Sequence, residues 1–232
     1  MENEAYKDGS YLDNNPTWHE EDSSWKAQQI TRILRTNNVV PETICELGCG
    51  AGEILKCLTT EFADNVMFSG YEISPQAFQI CSKKQTKNLT FHLADLLEER
   101  EPSFDVVMAI DVFEHVEDYF GFLRKLRTKG RYKIFHVPLD LSVQTVLRGS
   151  PILTARKSVG HIHYFTKETA LAALEDTGYR IVDHFYTKGS LQLPNRGWKA
   201  NLLKIPRATF FSIHQDWAVR IFGGFSLLVL AE

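Results

Sequence analysis

Apolar strand-like runs alternate with amphipathic helix-like runs along most of this 232-residue chain, and no other property of the sequence narrows the fold as far. "ETICEL", "VMFSGYEI" (66–73), "LTFHLADL" (89–96), "SFDVVMAIDVF" (103–113), "RYKIFHVPL", "RIVDHFYT" and "GFSLLVLAE" read as seven strands. The fourth is apolar at consecutive positions, which marks a strand covered on both faces. Between them, "SSWKAQQITRILRTNN" (23–38) repeats Trp25, Ile30, Ile33 and Leu34 near helical period, behind an N-cap at Ser23 or Ser24. "GEILKCLTTEF" continues from a glycine-rich turn, Ser74-Pro75 opens another helix, "EDYFGFLRKLRTKG" stops at Gly130, and Thr166 with Glu168 starts "TKETALAALEDTGY". Such alternation folds as an α/β, mainly parallel sheet with helices on both faces. Its ligands sit beyond the strand C-terminal ends, where strand order reverses.

Two segments interrupt the alternation. Residues at about 138–166 and 187–222 are longer than packing requires, the second holding a helix expected to break at Pro206. Insertions at the end of a sheet are where specificity is carried. Residues 1–37 read as an N-terminal lid and helix, and residues 38–232 as the core domain bearing both insertions. The lid reading rests on residues 1–23, which are polar yet include Tyr11, Trp18 and His19.

Composition excludes several roles. A formal net charge of -3 and a pI near 6.3 give no general pull toward nucleic acid or an anionic membrane. The basic run "RKLRTKGRYK" (124–133) is accounted for as a solvated helix C-terminus. Cys45, Cys49, Cys57 and Cys81 form no CxxC pair and no zinc spacing, so no metal is expected. The start, "MENEAYKDGS", carries no apolar leader, and "FSLLVLA" is too short to span a bilayer. A cytoplasmic monomer or homodimer with no nucleic-acid and no membrane partner is the expectation.

The first strand–helix turn holds three glycines, Gly48, Gly50 and Gly52, in five positions. Either a nicotinamide dinucleotide or another nucleoside-bearing cofactor would need a backbone this bare. The dinucleotide pattern G-x-G-x-x-G is missed, because Gly52 comes one place early and Glu53 takes the third glycine's position. A pyrophosphate at that helix start would face Glu53, whereas a cationic cofactor without phosphate tolerates it. Glu72 ends the second strand, 24 positions after Gly48, where a carboxylate can accept from both ribose hydroxyls. Asp95 ends the third strand near where an adenine amino group would lie, and the fourth ends in "AIDVFEHVED".

These motifs together resemble a class I S-adenosylmethionine-dependent methyltransferase of the group acting on small molecules. "ELGCGAGEIL" is similar to that family's cofactor loop, "GYEIS" to its ribose-binding end, "LADLLEE" to its adenine-side motif and "FDVVMAIDVFEHVED" to its fourth-strand motif. The resemblance covers about residues 24–186 and 223–232. It implies a doubly wound, Rossmann-like sheet of seven strands, mostly parallel with the last antiparallel, and S-adenosyl-L-methionine as cofactor with S-adenosyl-L-homocysteine as product. It further implies that Gly48, Cys49, Gly50 and Gly52 pass the backbone under the cofactor, that Glu46 meets the methionyl ammonium, and that Lys26 faces the carboxylate. Glu72 and Ile73 then hold ribose and adenine, Asp95 and Leu96 meet the adenine edge and face, and Ile110 and Asp111 line the methionine side. A nicotinamide-dependent oxidoreductase, or a non-catalytic cofactor-binding protein on the same fold, is the alternative.

Methyl transfer from a sulfonium is an in-line displacement, so a base is needed only when the acceptor must lose a proton. His115 follows the fourth strand, and His161 and His163 lie in "GHIHYFT" (160–166), two apart and so on one side of an extended segment. These three are the candidate catalytic residues. Asn/Asp-Pro-Pro-Tyr/Phe, the signature of enzymes methylating exocyclic nitrogens, is replaced by "DVFEHV", which leaves a small organic acceptor taken at oxygen, nitrogen or carbon. Phe210, Phe211 and Trp217 suggest an apolar or amphipathic acceptor.

Overall fold

The computed structural model describes residues 20–100, 103–193 and 198–232. Seven strands form one sheet: β1 (Thr43–Leu47), β2 (Met67–Glu72), β3 (Leu89–Leu93), β4 (Phe104–Ile110), β5 (Gly130–Pro138), β6 (Ile181–Thr187) and β7 (Ser226–Ala231). Their order is β3-β2-β1-β4-β5-β7-β6. β7 runs antiparallel to both β5 and β6, and the pairings among β1 to β5 are parallel. The expected sheet is therefore present, with its reversal of strand order between β1 and β4.

Strand alternation divides the core between two faces. On β4, Val107 and Ala109 join one apolar cluster while Val106, Met108 and Ile110 join the other. β7 repeats the pattern, with Leu227 and Val229 on one side and Leu228 and Leu230 on the other. Helices α1 (Glu20–Thr36), α2 (Glu53–Thr59) and α3 (Pro75–Cys81) cover the second face. Helices α4 (Tyr119–Leu126) and α7 (Lys167–Asp176) cover the first. The connection after β5 folds as α5 (Val143–Arg148) and α6 (Ser150–Ser158), and that between β6 and β7 as α8 (Gly189–Gln192), α9 (Trp198–Ile213) and α10 (Gln215–Phe222).

Two local expectations change. Ser23 is not a cap: α1 already includes Glu20, and Ser23 is buried within it. The acidic run Glu20, Glu21 and Asp22 fills the first turn, where the helix dipole favours carboxylates. Pro206 does not break its helix, since α9 runs through it to Ile213; the break falls at His214, whose ring caps α10 through the Trp217 N–H. Thr166 caps α7 as expected, with Glu168 in the first turn and Thr169 closing the capping box. Residues 1–19, most of the expected lid, lie outside the described residues, and the following helix buries Ala27, Ile30, Ile33 and Leu34 in the same cluster as Leu55 and Leu58 of α2.

Candidate functional site

One cavity of about 960 Å³ opens at the C-terminal ends of β1, β2, β4 and β5, at the reversal of strand order. Its floor is the turn between β1 and α2. Gly48, Gly50 and Gly52 have φ of 70, 52 and 75°, the left-handed region that side chains rarely adopt. A Cβ on Gly52 would also stand 2.6 Å from the Phe91 ring and 2.8 Å from Cys81 Cβ. Cys49 is buried beside them and lines the cavity. Lys84 ties the turn down, bonding the Ala51 carbonyl at 2.9 Å and pairing with Glu53 at 2.7 Å and with Glu20 of α1. Glu53 thus sits at the first position of α2, where a dinucleotide pyrophosphate would need room for its own charge.

Two buried carboxylates stand over this floor in different states. Glu72 accepts the Gly50 N–H at 2.8 Å and the Ser74 N–H at 2.7 Å, one on each oxygen. Burial raises its pKa, and these amide bonds oppose the rise. Glu46 has no such support: its Oε2 is buried with no hydrogen-bond partner. Burial pushes its carboxyl up to about 8, against the pull of Lys26 and with the help of the Glu72 charge. A buried acceptor atom without a donor, at the end of a glycine floor, suits a ligand carrying a cation.

The wall beyond is an ion network. Lys26 of α1 pairs with Asp111 at 2.9 Å and with Asp22 at 3.1 Å. Burial opposes its charge, but the two carboxylates outweigh it and raise the Lys26 pKa. His136 of β5 donates from Nδ1 to Asp111 at 2.6 Å, and its Nε2 meets Thr187 Oγ1 at 2.8 Å. Burial acts against the Asp111 charge, and His136 and Lys26 hold its carboxyl well below the usual carboxylate range. Asp111 has φ of 53°, uncommon outside glycine, so the backbone is bent to aim this carboxylate between Lys26 and His136. On the opposite side, Ile73 is exposed, Leu96 is fully buried and Asp95 accepts the Leu97 N–H at 2.9 Å. With Ile110 these complete the expected cofactor set, and every member of it lines this one cavity.

The expected histidines separate. His115 and His161 line the cavity with rings 4.9 Å apart, edge to face. His115 donates from Nδ1 to the Gly160 carbonyl at 3.1 Å, and His161 from Nδ1 to Asp140 at 2.6 Å. Burial, reinforced by His161, lowers the His115 pKa to about 4. His163 does not line the cavity; its Nε2 donates to the carbonyls of Val116 at 2.9 Å and Glu117 at 3.2 Å. The two-residue spacing does not put the rings together, because the N–H groups of Ile162 and His163 both bond the Glu114 carbonyl and the segment is no regular strand. Phe210, Phe211 and Trp217 also lie away from the cavity: Phe211 stacks on Phe225 in the core at 5.0 Å, Phe210 packs on Phe222, and Trp217 is exposed. The second insertion reaches the cavity instead through Gly189 and Leu193.

One residue that sequence reasoning passed over is Glu114. It is fully buried behind His115 and His161, with neither carboxylate oxygen hydrogen-bonded. Burial, and then the Asp111 charge, raise its pKa well above the ordinary value. Nothing in "FEHV" marks it, since the neighbouring His161 is 47 positions away. Asp140, which holds the His161 imidazole, was equally unmarked.

Residues 18–184 match the family described as "Methyltransferase domain". None of the curated proteins matches the sequence. The fold is similar to magnesium protoporphyrin IX methyltransferase from Synechocystis PCC 6803 with bound S-adenosylhomocysteine, at 16% identity, covering 90% of this chain and 82% of that one with a TM-score of 0.60. It is similar also to an N-methyltransferase from Bradyrhizobium japonicum WM9 in complex with the same compound, at 15% identity, 89% and 84% coverage and a TM-score of 0.55. A [4+2]-cyclase shares it too, at 13% identity, 88% and 80% coverage and a TM-score of 0.58, so the architecture alone does not fix a reaction. No helix among the described residues is long and apolar enough to cross a membrane. With the family matched over most of the chain and the glycine floor at the sheet's switch point, the chain belongs to the methyltransferase-domain family and is a class I S-adenosylmethionine-dependent methyltransferase.

Proposed function

We propose that this enzyme methylates a small organic acceptor bound at the His115–His161 end of the cavity. The observation that carries the reading is the continuity of one cavity from the glycine floor to those two imidazoles. The cofactor supplies, when bound, a methyl group already activated on a sulfonium. Gly48, Gly50 and Gly52 give it room, Asp111 offers negative charge, Glu46 an unpartnered acceptor oxygen, and Glu72 presents acceptor oxygens beside the floor. Lys26 and His136 fix Asp111 in place, so that wall is organised before binding.

Pro138, Val159 and Trp25 line the cavity along with the two imidazoles, and Trp25 is anchored by its Nε1–H on Gln192 at 2.9 Å. With its pKa near 4, His115 is neutral at physiological pH, and its Nδ1 proton is committed to Gly160. It therefore offers a lone pair, not a charge, to what binds there.

Incubation with S-adenosylmethionine labelled in the methyl group, in a cell extract, tests the proposal. Label is expected in low-mass products and absent from the RNA and protein fractions; label confined to macromolecules would overturn the small acceptor. With the product identified, His161→Ala should keep cofactor affinity within about threefold while transfer falls about 10²–10⁴-fold.

A further inference from the structure

We propose that Glu114, His115 and His161 bind one divalent transition-metal cation, Zn2+ foremost, at the acceptor end of the cavity. Their ligand atoms all lie within 4.8 Å of one another, with Glu114 Oε1 3.9 Å from His115 Nε2. Tetrahedral zinc with bonds near 2.1 Å sets its donors about 3.4 Å apart, so the three side chains need to draw in by about an ångström.

Glu114 is the observation that asks for a ligand. It is fully buried, both its oxygens lack hydrogen-bond partners, and it does not line the cavity, so a cofactor lying there does not reach it. Protonation does not relieve this, because a buried carboxylic acid still has an O–H and a carbonyl to satisfy. Leaving such buried groups unmet is destabilising. A cation between Glu114 and the imidazoles satisfies it.

The imidazoles are oriented for that role. The Gly160 carbonyl and Asp140 each engage Nδ1 of their imidazole, which makes Nε2 the ligating nitrogen of both rings. A ligating histidine backed by a carboxylate or carbonyl on its other nitrogen is the usual outer arrangement of a metal site. Two imidazoles and one carboxylate favour Zn2+, Fe2+ or Co2+ over the oxygen-seeking Mg2+ and Ca2+. Since His115 and His161 line the cavity and Glu114 stands behind them, the remaining coordination positions face the acceptor.

The use of the cation rests on the methyltransferase reading; its binding does not. A hydroxyl of the acceptor coordinates it, and its proton passes to solvent at a lowered pKa. The oxygen then uses a lone pair to form the C–O bond as the C–S bond breaks, with that electron pair remaining on sulfur.

Cobalt titration of the EDTA-treated full-length protein tests the site independently of turnover. One equivalent of Co2+ should bind, giving a ligand-field spectrum without thiolate charge transfer. Glu114→Gln and His161→Ala should each weaken binding at least tenfold, and circular dichroism should show them folded. If either fails to fold, Asp140→Asn, a positioning change, should still weaken binding about 10–100-fold. S-adenosylhomocysteine titration of the same samples separates the two readings. Wild type that binds the nucleoside but no stoichiometric Co2+ overturns the metal site, as does binding unchanged in these variants or carrying a thiolate band. Co2+ binding with the expected variants but no nucleoside binding upholds the metal site and overturns the cofactor reading instead.

Discussion

At the cofactor end of the cavity, the floor and its two carboxylates come from residues 46–72, two adjacent strands and one turn. At the acceptor end, Glu114 and His115 come from the turn after β4, while Asp140, Gly160 and His161 come from the insertion after β5. The first end is held by backbone: left-handed glycines, amide bonds to Glu72 and the Lys84 clamp. The second is held by side chains meeting across tens of residues of sequence. A backbone-built pocket serves a constant ligand, and a side-chain-built pocket can be changed one residue at a time, which is what a family with one cofactor and many acceptors requires.

The largest break should come at the floor. Gly52→Val forces a β-branched residue to φ of 75° and drives its side chain into Phe91 and Cys81. Overpacking and left-handed strain together should lower stability by about 2–5 kcal/mol, and nucleoside binding should vanish. Thermal melts and calorimetry read both. Near-normal affinity would mean that the cofactor does not lie on this turn.

Asp111→Asn should cost somewhat less and act on the wall joining the two ends. Asn tolerates the left-handed backbone, so the change removes charge without adding strain. Lys26 and His136 lose their common partner, for about 2–4 kcal/mol, between the ranges for exposed and fully buried pairs. The pH dependence follows from the depressed pKa. Asp111 is ionised in the folded state below the pH at which it protonates in the unfolded chain, near 3.9. Its contribution is therefore complete above about pH 4 and is lost as pH falls further. Urea melts of wild type and variant should differ fully at pH 7 and converge toward pH 2; a constant difference would place the effect in packing, not charge.

The same contrast explains what was legible in the sequence. Gly48, Gly50, Gly52 and Glu72 could be placed because a turn and a strand end are local events with fixed spacing. Lys26 and Asp111 are 85 positions apart, and only the resemblance to a family brought them together; no periodicity links a helix face to a strand end. Glu114 was invisible because a buried carboxylate in an apolar turn looks like a solvated one until its partners are known. The aromatic residues of α9 and α10 misled for the opposite reason: helical spacing says that a ring is on one face, not whether that face meets core, solvent or ligand.

The smallest effect should be at His163, and it sharpens the boundary of the acceptor end. Its Nε2–H bridges the Val116 and Glu117 carbonyls, and its ring lies edge-on to Tyr119 at 4.7 Å. These contacts fix the segment that carries His161 against the turn that carries His115, but the ring itself does not line the cavity. His163→Ala should lose a hydrogen bond to backbone carbonyls and a modest ring contact, about 0.5–1.5 kcal/mol of stability. Cofactor affinity should not change, and methyl transfer should stay within about tenfold of wild type, against the 10²–10⁴-fold expected for His161→Ala. A loss as deep as that of His161→Ala, with the melting temperature unchanged, would put His163 against the acceptor and return to it the role that its position in "GHIHYFT" first suggested.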